Sequence, residues 1–134
     1  MIRGIHHIGV AVENLDRARA LYVEKLGLRE GTRDEVPEQM VRVLVVYAGE
    51  TRIELLEPTS PESPIAKFLA KRGPGVHHIA YHVDDVGAGL ATLGQRGLQL
   101  IDSAPRDGAH HTRVGFVHPK STEGVLTELV QDLH

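Results

Sequence analysis

The stretch IHHIGVAV at residues 5–12 returns as VHHIAYHV at residues 76–83. The likeness runs on past the histidines. IHHIGVAVENLDRARALYVEKLGL (5–28) lines up with VHHIAYHVDDVGAGLATLGQRGL (76–98), which is one residue shorter. A duplicated unit this small cannot bury its apolar face alone, so each copy is expected to pack as one of a pair. The repeat therefore limits the chain to one supersecondary unit used twice.

Each copy reads as a strand, an Asx-rich turn, an amphipathic helix and a terminating glycine. In the first, Asn14 or Asp16 caps a helix whose apolar positions Leu15, Ala18, Leu21, Tyr22 and Leu26 follow a 3.6-residue period, and Gly27 ends it. In the second, Asp84 or Asp85 caps, Val86, Leu90 and Leu93 face inward, and Gly97 ends the helix. Strand patterns follow: a short strand near 28–36, VRVLVVYAG (41–49) and TRIELLEP (51–58) with a tight turn at Gly49-Glu50, then GLQLIDS (97–103), TRVGFVHP (112–119) and GVLTELVQ (124–131). Between the copies, SPIAKFLAKR reads as a linking helix within a Pro- and Gly-bounded segment, 59–75. The expectation is an α+β fold of one domain, 1–134. It consists of two tandem βαβββ modules (about 1–58 and 76–134) forming a curved mixed sheet around a metal-binding cavity.

Side chains alternate along a strand. His6, Ile8, Val10 and Val12 share one face, and His7, Gly9 and Ala11 the other. The second copy repeats this, with His77, Ile79, Tyr81 and Val83 on the bulky side and His78, Ala80 and His82 on the open side. The second histidine of each pair thus points to a face of small residues. Each module's last strand adds a carboxylate among apolar neighbours, Glu54 in IELLEP and Glu128 in LTELVQ. An unpaired buried charge costs several kcal/mol, and a cation removes that objection. Two imidazoles and two carboxylates suit Co²⁺, Mn²⁺, Fe²⁺, Ni²⁺ or Zn²⁺. For each residue alone a plainer reading stands: a hydrogen-bonded histidine, or an acid protecting a sheet edge. That plainer reading is kept for His6, His77 and His82. Duplication of all four positions favours His7, Glu54, His78 and Glu128 as ligands.

Composition excludes several classes. The net charge is −3 and basic residues do not cluster, so no nucleic-acid footprint is present. There is no cysteine, hence no disulfide, thiolate site or cysteine nucleophile. The sequence offers no signal-peptide pattern and no apolar run long enough for a membrane span, so a cytoplasmic protein with no membrane partner is expected.

Four stretches carry a wider resemblance: HHIGVAVENLDRA, EVPEQMVRV, TRIELLEPTSPESPIAKFLAKRGPGVHHIAYHVDD and HPKSTEGVLTELVQ, which together span nearly the whole chain. The sequence resembles the vicinal oxygen chelate superfamily of paired βαβββ modules, and within it the methylmalonyl-CoA epimerases. That resemblance implies a homodimer whose four metal ligands fall on His7, Glu54, His78 and Glu128, with Co²⁺ or Mn²⁺ favoured over Ni²⁺, Fe²⁺ and Zn²⁺. It implies interconversion of (2R)- and (2S)-methylmalonyl-CoA by removal and return of the C2 proton, with a Lewis-acidic ion at the thioester oxygen. Inversion is simplest with two acid/base groups flanking C2. Glu128 is the first candidate. Some relatives place a glutamate where this chain has Val43, which leaves Glu54, or Glu38 in the DEVPEQ loop, for the second.

RDGAHHTRVGFVHPKS holds His110, His111, His118, Lys120 and Ser121. Two readings stand for it: a loop over the substrate, with Lys120 and Ser121 binding the carboxylate or thioester, or a solvated surface turn. Arg17, Arg19, Glu24, Lys25, Lys67, Lys71 and Arg72 read mainly as a solvated helical face. Two rival functions remain at this point. One is a glyoxalase or dioxygenase of the same superfamily, and the other is a metal-free small-molecule binder.

Overall fold

A computed structural model describes residues 1–133; His134, the last residue of the expected second module, lies outside the described residues. The chain forms two compact units, His7–His77 and His78 onward together with Met1–His6. Both carry the βαβββ order, so the fold is α+β as the repeat requires.

In the first module, β1 (Ile2–Ala11) leads into α1 (Leu15–Arg19), then β2 (Arg29–Val36), β3 (Val41–Ala48) and β4 (Thr51–Pro58). The strand order is β2-β3-β4-β1. Pairs β2–β3 and β3–β4 are antiparallel and β1–β4 is parallel, so the sheet is mixed. Asn14 caps α1, its side chain accepting from the Arg17 amide at 2.9 Å. Gly27 takes φ 78°, where only glycine is at ease, and ends the helical run. Val12, Leu15, Ala18, Leu44, Val46 and Leu55 form the core beneath α1. On the opposite sheet face α2 (Pro64–Arg72) sets Ile65 against Ala11, Val41 and Leu56. Ser63, fully buried, caps α2 by accepting from the Ile65 amide at 3.2 Å.

The first helix departs from expectation after one turn. Residues Ala20–Lys25 wind as a π-helix, and the Leu26 amide donates to the Leu21 carbonyl at 2.8 Å. The wider turn rotates the apolar stripe out of phase. Leu21 and Leu26, expected to face inward, are 46% and 59% exposed. Leu55→Ala is therefore expected to lower stability by about 2–5 kcal/mol, whereas Leu21→Ser should stay within about 0.5 kcal/mol. Urea unfolding of both variants checks the contrast.

The second module runs β5 (Gly75–Val83), α3 (Val86–Gln95), β6 (Arg106–Gly108), β7 (Thr112–Val117) and β8 (Leu126–Asp132), in the order β5-β8-β7-β6. Here β5–β8 is parallel, and β6–β7 and β7–β8 are antiparallel. Asp85 caps α3 through the Ala88 amide at 3.0 Å. Val83, Val86, Leu90 and Leu129 form the core under α3. Arg3, from the N-terminal segment of this unit, pairs with Asp84 at 3.0 Å.

GLQLIDS, expected as a strand, is not one. Leu100 makes an isolated bridge with Val117, and the third strand of the module forms later, at Arg106–Gly108. The Asp102 carboxylate accepts from the Phe116 amide at 2.8 Å, where a ladder would use a backbone carbonyl, and Pro105 follows. An acidic side chain in the ladder and a nearby proline interrupt the pairing that the apolar pattern invites.

Candidate metal centre

Each unit presents one histidine and one glutamate on the sheet face turned away from its first helix. In the first, Ile53 and Leu55 of β4 pack under α1, so Glu54 and Leu56 face the other way. His7 shares its face with Gly9 and Ala11, and Ala11 packs against Leu56. The parallel β1–β4 register puts Glu54 opposite Gly9, two residues beyond His7. In the second unit, Tyr81 and Val83 pack under α3 while Ala80 packs with Val114 and Val130 on the other face. The parallel β5–β8 register puts Glu128 opposite Ala80, two residues beyond His78. The offset is the same in both modules.

The distances repeat as well. His7 Nε2 lies 3.7 Å from Glu54 Oε1, and His78 Nε2 lies 3.7 Å from Glu128 Oε1. This separation exceeds the range of about 2.7–3.2 Å of a hydrogen bond. It approaches the roughly 3–3.6 Å between neighbouring ligands held about 2.1 Å from one first-row ion. His7, His78 and Glu128 are buried, and the Glu54 side chain is 18% exposed. Each pair thus fits two adjacent ligands of a divalent ion, one nitrogen and one oxygen, in a site shielded from water.

The other candidates fall as follows. Ser121 and Lys120 lie in a short 3₁₀ turn, Pro119–Ser121, that His118 caps through Nδ1, which accepts from the Lys120 amide at 3.0 Å. The Ser121 hydroxyl accepts from the Gln99 amide at 2.8 Å, and Lys120 is exposed. His110 and His111 take φ 56° and 57° in the β6–β7 turn, and the His111 carbonyl accepts from the Leu133 amide at 2.8 Å. These contacts give the segment structural work. Glu38 is exposed in the 3₁₀ turn Pro37–Gln39, and Val43 pairs with Leu56 and Asp34. His77 meets the Phe68 ring edge-on at 5.1 Å, and burial holds its pKa below the ordinary histidine value. His6 and His82 each approach Asp132, at 3.4 and 3.6 Å.

Sequence reasoning passed over Arg52. Its Nε lies 3.2 Å from Glu54 Oε2. The signal was available: residues two apart on a strand share a face, so TRIELL places Arg52 beside Glu54.

Two βαβββ modules, each presenting a His–Glu pair on the sheet face away from its helix, define the architecture of the vicinal oxygen chelate proteins. A model of the Glyoxalase/Bleomycin resistance protein/Dioxygenase superfamily matches residues 6–116. The ethylmalonyl-CoA/methylmalonyl-CoA epimerase of Cereibacter sphaeroides is 40% identical over 133 residues, covering 98% of this chain and 99% of its own. Among solved structures, methylmalonyl-CoA epimerase from Mycobacterium tuberculosis matches with TM-score 0.89 and 35% identity over 99% of this chain and 90% of that one. A methylmalonyl-CoA epimerase in complex with methylmalonyl-CoA and NH4+ matches with TM-score 0.87 and 36% identity, over 98% and 96%. The chain belongs to the glyoxalase/bleomycin resistance protein/dioxygenase superfamily and, within it, to the methylmalonyl-CoA epimerase family.

Proposed function

We propose that the protein is a methylmalonyl-CoA epimerase, and that His7, Glu54, His78 and Glu128 together hold one divalent ion, cobalt or manganese before nickel, iron or zinc. The observation that supports this best is the repeated register: in both modules a buried imidazole and a carboxylate stand 3.7 Å apart with the same two-residue offset. Relatives that carry the epimerase name, one of them with methylmalonyl-CoA bound, support the substrate. Bound there, the ion would supply Lewis acidity for the charge that builds on the thioester oxygen as C2 loses its proton.

The chain's own residues do the rest. The imidazoles of His7 and His78 would offer the ion their Nε2 atoms, which face the glutamates. Glu128 is assigned both to ligation and to moving the C2 proton, and Glu54, which shares its carboxylate with Arg52, to ligation and to the part of second acid/base group that inversion calls for. Burial around His7, His78 and Glu128 keeps bulk water from delivering protons at random. Lys120, exposed at the β7–β8 connection, is assigned to the substrate carboxylate. Ser121 stays beside it as a polar lining residue, its hydroxyl still able to donate while it accepts from Gln99. The homodimer belongs to the same reading and rests on the family resemblance, and a cytoplasmic location is proposed beside it. No helix among the described residues is long and apolar enough to cross a membrane.

Incubation with methylmalonyl-CoA in deuterium oxide tests the activity. The expected result is deuterium at C2 together with interconversion of the two epimers. No exchange at C2, with D-lactoylglutathione formed from the methylglyoxal–glutathione adduct, would move the protein to the glyoxalase branch.

A further inference from the structure

The two half-sites differ in charge beside the glutamate. On β4 the residue two before Glu54 is Arg52, whereas on β8 the residue two before Glu128 is Leu126. The cation therefore breaks a symmetry that the histidines, the glutamates and the strand register all keep. Its position relative to Glu54 is specific. The two carboxylate oxygens are divided between neighbours, with Oε1 3.7 Å from His7 Nε2 and Oε2 3.2 Å from Arg52 Nε. Arg52 Nε is also the buried side-chain polar atom that makes no hydrogen bond among the described residues. Its contact with Oε2 is close but off the hydrogen-bond line, so a small turn of the carboxylate would complete it.

Resting on the metal-centre reading above, we infer that Arg52 is a positioning residue that reserves one oxygen of Glu54, making Glu54 a one-oxygen ligand and leaving room on the ion for substrate. An ion drawing on Oε1 turns the carboxylate toward Arg52, and the buried Nε–H gains its acceptor. A carboxylate shared with a guanidinium gives less charge to the ion, which stays the stronger Lewis acid. The partner that orients a ligand tunes the metal in this way. A methionine at position 52 would keep much of the side-chain volume and remove both effects. Glu54 would then bind through two oxygens, filling a position that the substrate's thioester or carboxylate oxygen needs. The local charge would become more negative, which favours a cation.

The test compares wild type, Arg52→Met and Arg52→Lys after Co²⁺ loading, by visible absorption, chelator competition, and kcat and KM for C2 exchange. For Arg52→Met, Co²⁺ affinity should rise about threefold or more as the competing positive charge is removed. Its d–d bands should lose intensity as the coordination number grows, and kcat should fall about tenfold or more with a smaller change in KM. Arg52→Lys should restore the affinity through its charge while keeping the altered bands, because an ammonium lacks the planar guanidinium geometry. Weaker Co²⁺ binding in Arg52→Met, or wild-type bands with wild-type kcat, would overturn the inference. If Arg52→Met does not fold, the same bands and kcat of Arg52→Lys decide: altered bands support the role and unchanged ones reject it. A wild-type protein that neither binds Co²⁺ nor exchanges C2 would reject the proposed function itself. A wild type that does both beside an unaltered Arg52→Met rejects only the role of Arg52.

Discussion

Glu128→Gln is expected to lower kcat for epimerisation by about a thousandfold, within the roughly 10²–10⁴ range of a general acid/base group. The substitution keeps an oxygen ligand in place at nearly constant volume and removes the group that can carry the proton. Glu128 is buried on β8, opposite Ala80, with Oε1 3.7 Å from His78 Nε2. Glutamine there should leave the fold intact, so Tm and metal content should change far less than turnover. Steady-state kinetics with both epimers as substrate, alongside metal analysis of the same samples, checks this. A variant with full metal content and near-normal kcat in both directions would remove Glu128 from proton transfer.

The second large effect concerns the histidines. His7→Ala and His78→Ala should each weaken binding of the divalent ion by at least about a hundredfold, the upper end of what loss of an orienting partner alone produces. The two losses should also be similar in size. The repeat places both imidazoles on equivalent strands, with equal distances to their glutamates and with small residues, Gly9 and Ala80, two positions further on. Replacing His6 or His82 should leave the affinity close to wild type, because both approach Asp132 instead. Titration of the chelated protein with Co²⁺ separates these cases. A His7 variant that binds as wild type does, beside a His78 variant that has lost binding, would show that the two modules do not contribute alike.

Much of this was legible because duplication carries its own control. One HHI reads as strand, and two at the same phase, each followed by a mid-strand glutamate, read as a donor set. Strand alternation assigned His7 and His78 to their faces, and local backbone chemistry gave the stops Gly27 and Gly97 and narrowed each cap to two residues, of which Asn14 and Asp85 do the capping. The errors came where tertiary context overrides local pattern. The π-helical turn at Ala20–Lys25 depends on backbone bonds that a 3.6-residue template does not contain, and it turned Leu21 and Leu26 outward. In GLQLIDS the apolar alternation is strand-like, yet the Asp102 side chain takes the Phe116 amide and the pairing stops at the Leu100–Val117 bridge. The HPKS segment showed polar groups whose partners only the fold reveals: Ser121 accepts from Gln99, and His118 caps its own turn. Arg52 was overlooked because arginine on a strand usually means a solvated edge. Its significance comes from the carboxylate two residues on.

The most direct measurement strips the protein with a chelator, assays C2 exchange and epimerisation, and then adds back Co²⁺, Mn²⁺, Ni²⁺ or Zn²⁺ one at a time while counting bound ions. The account predicts negligible turnover in the stripped protein and recovery that saturates at one ion per chain. Stripped protein that epimerises methylmalonyl-CoA at the full rate would contradict it.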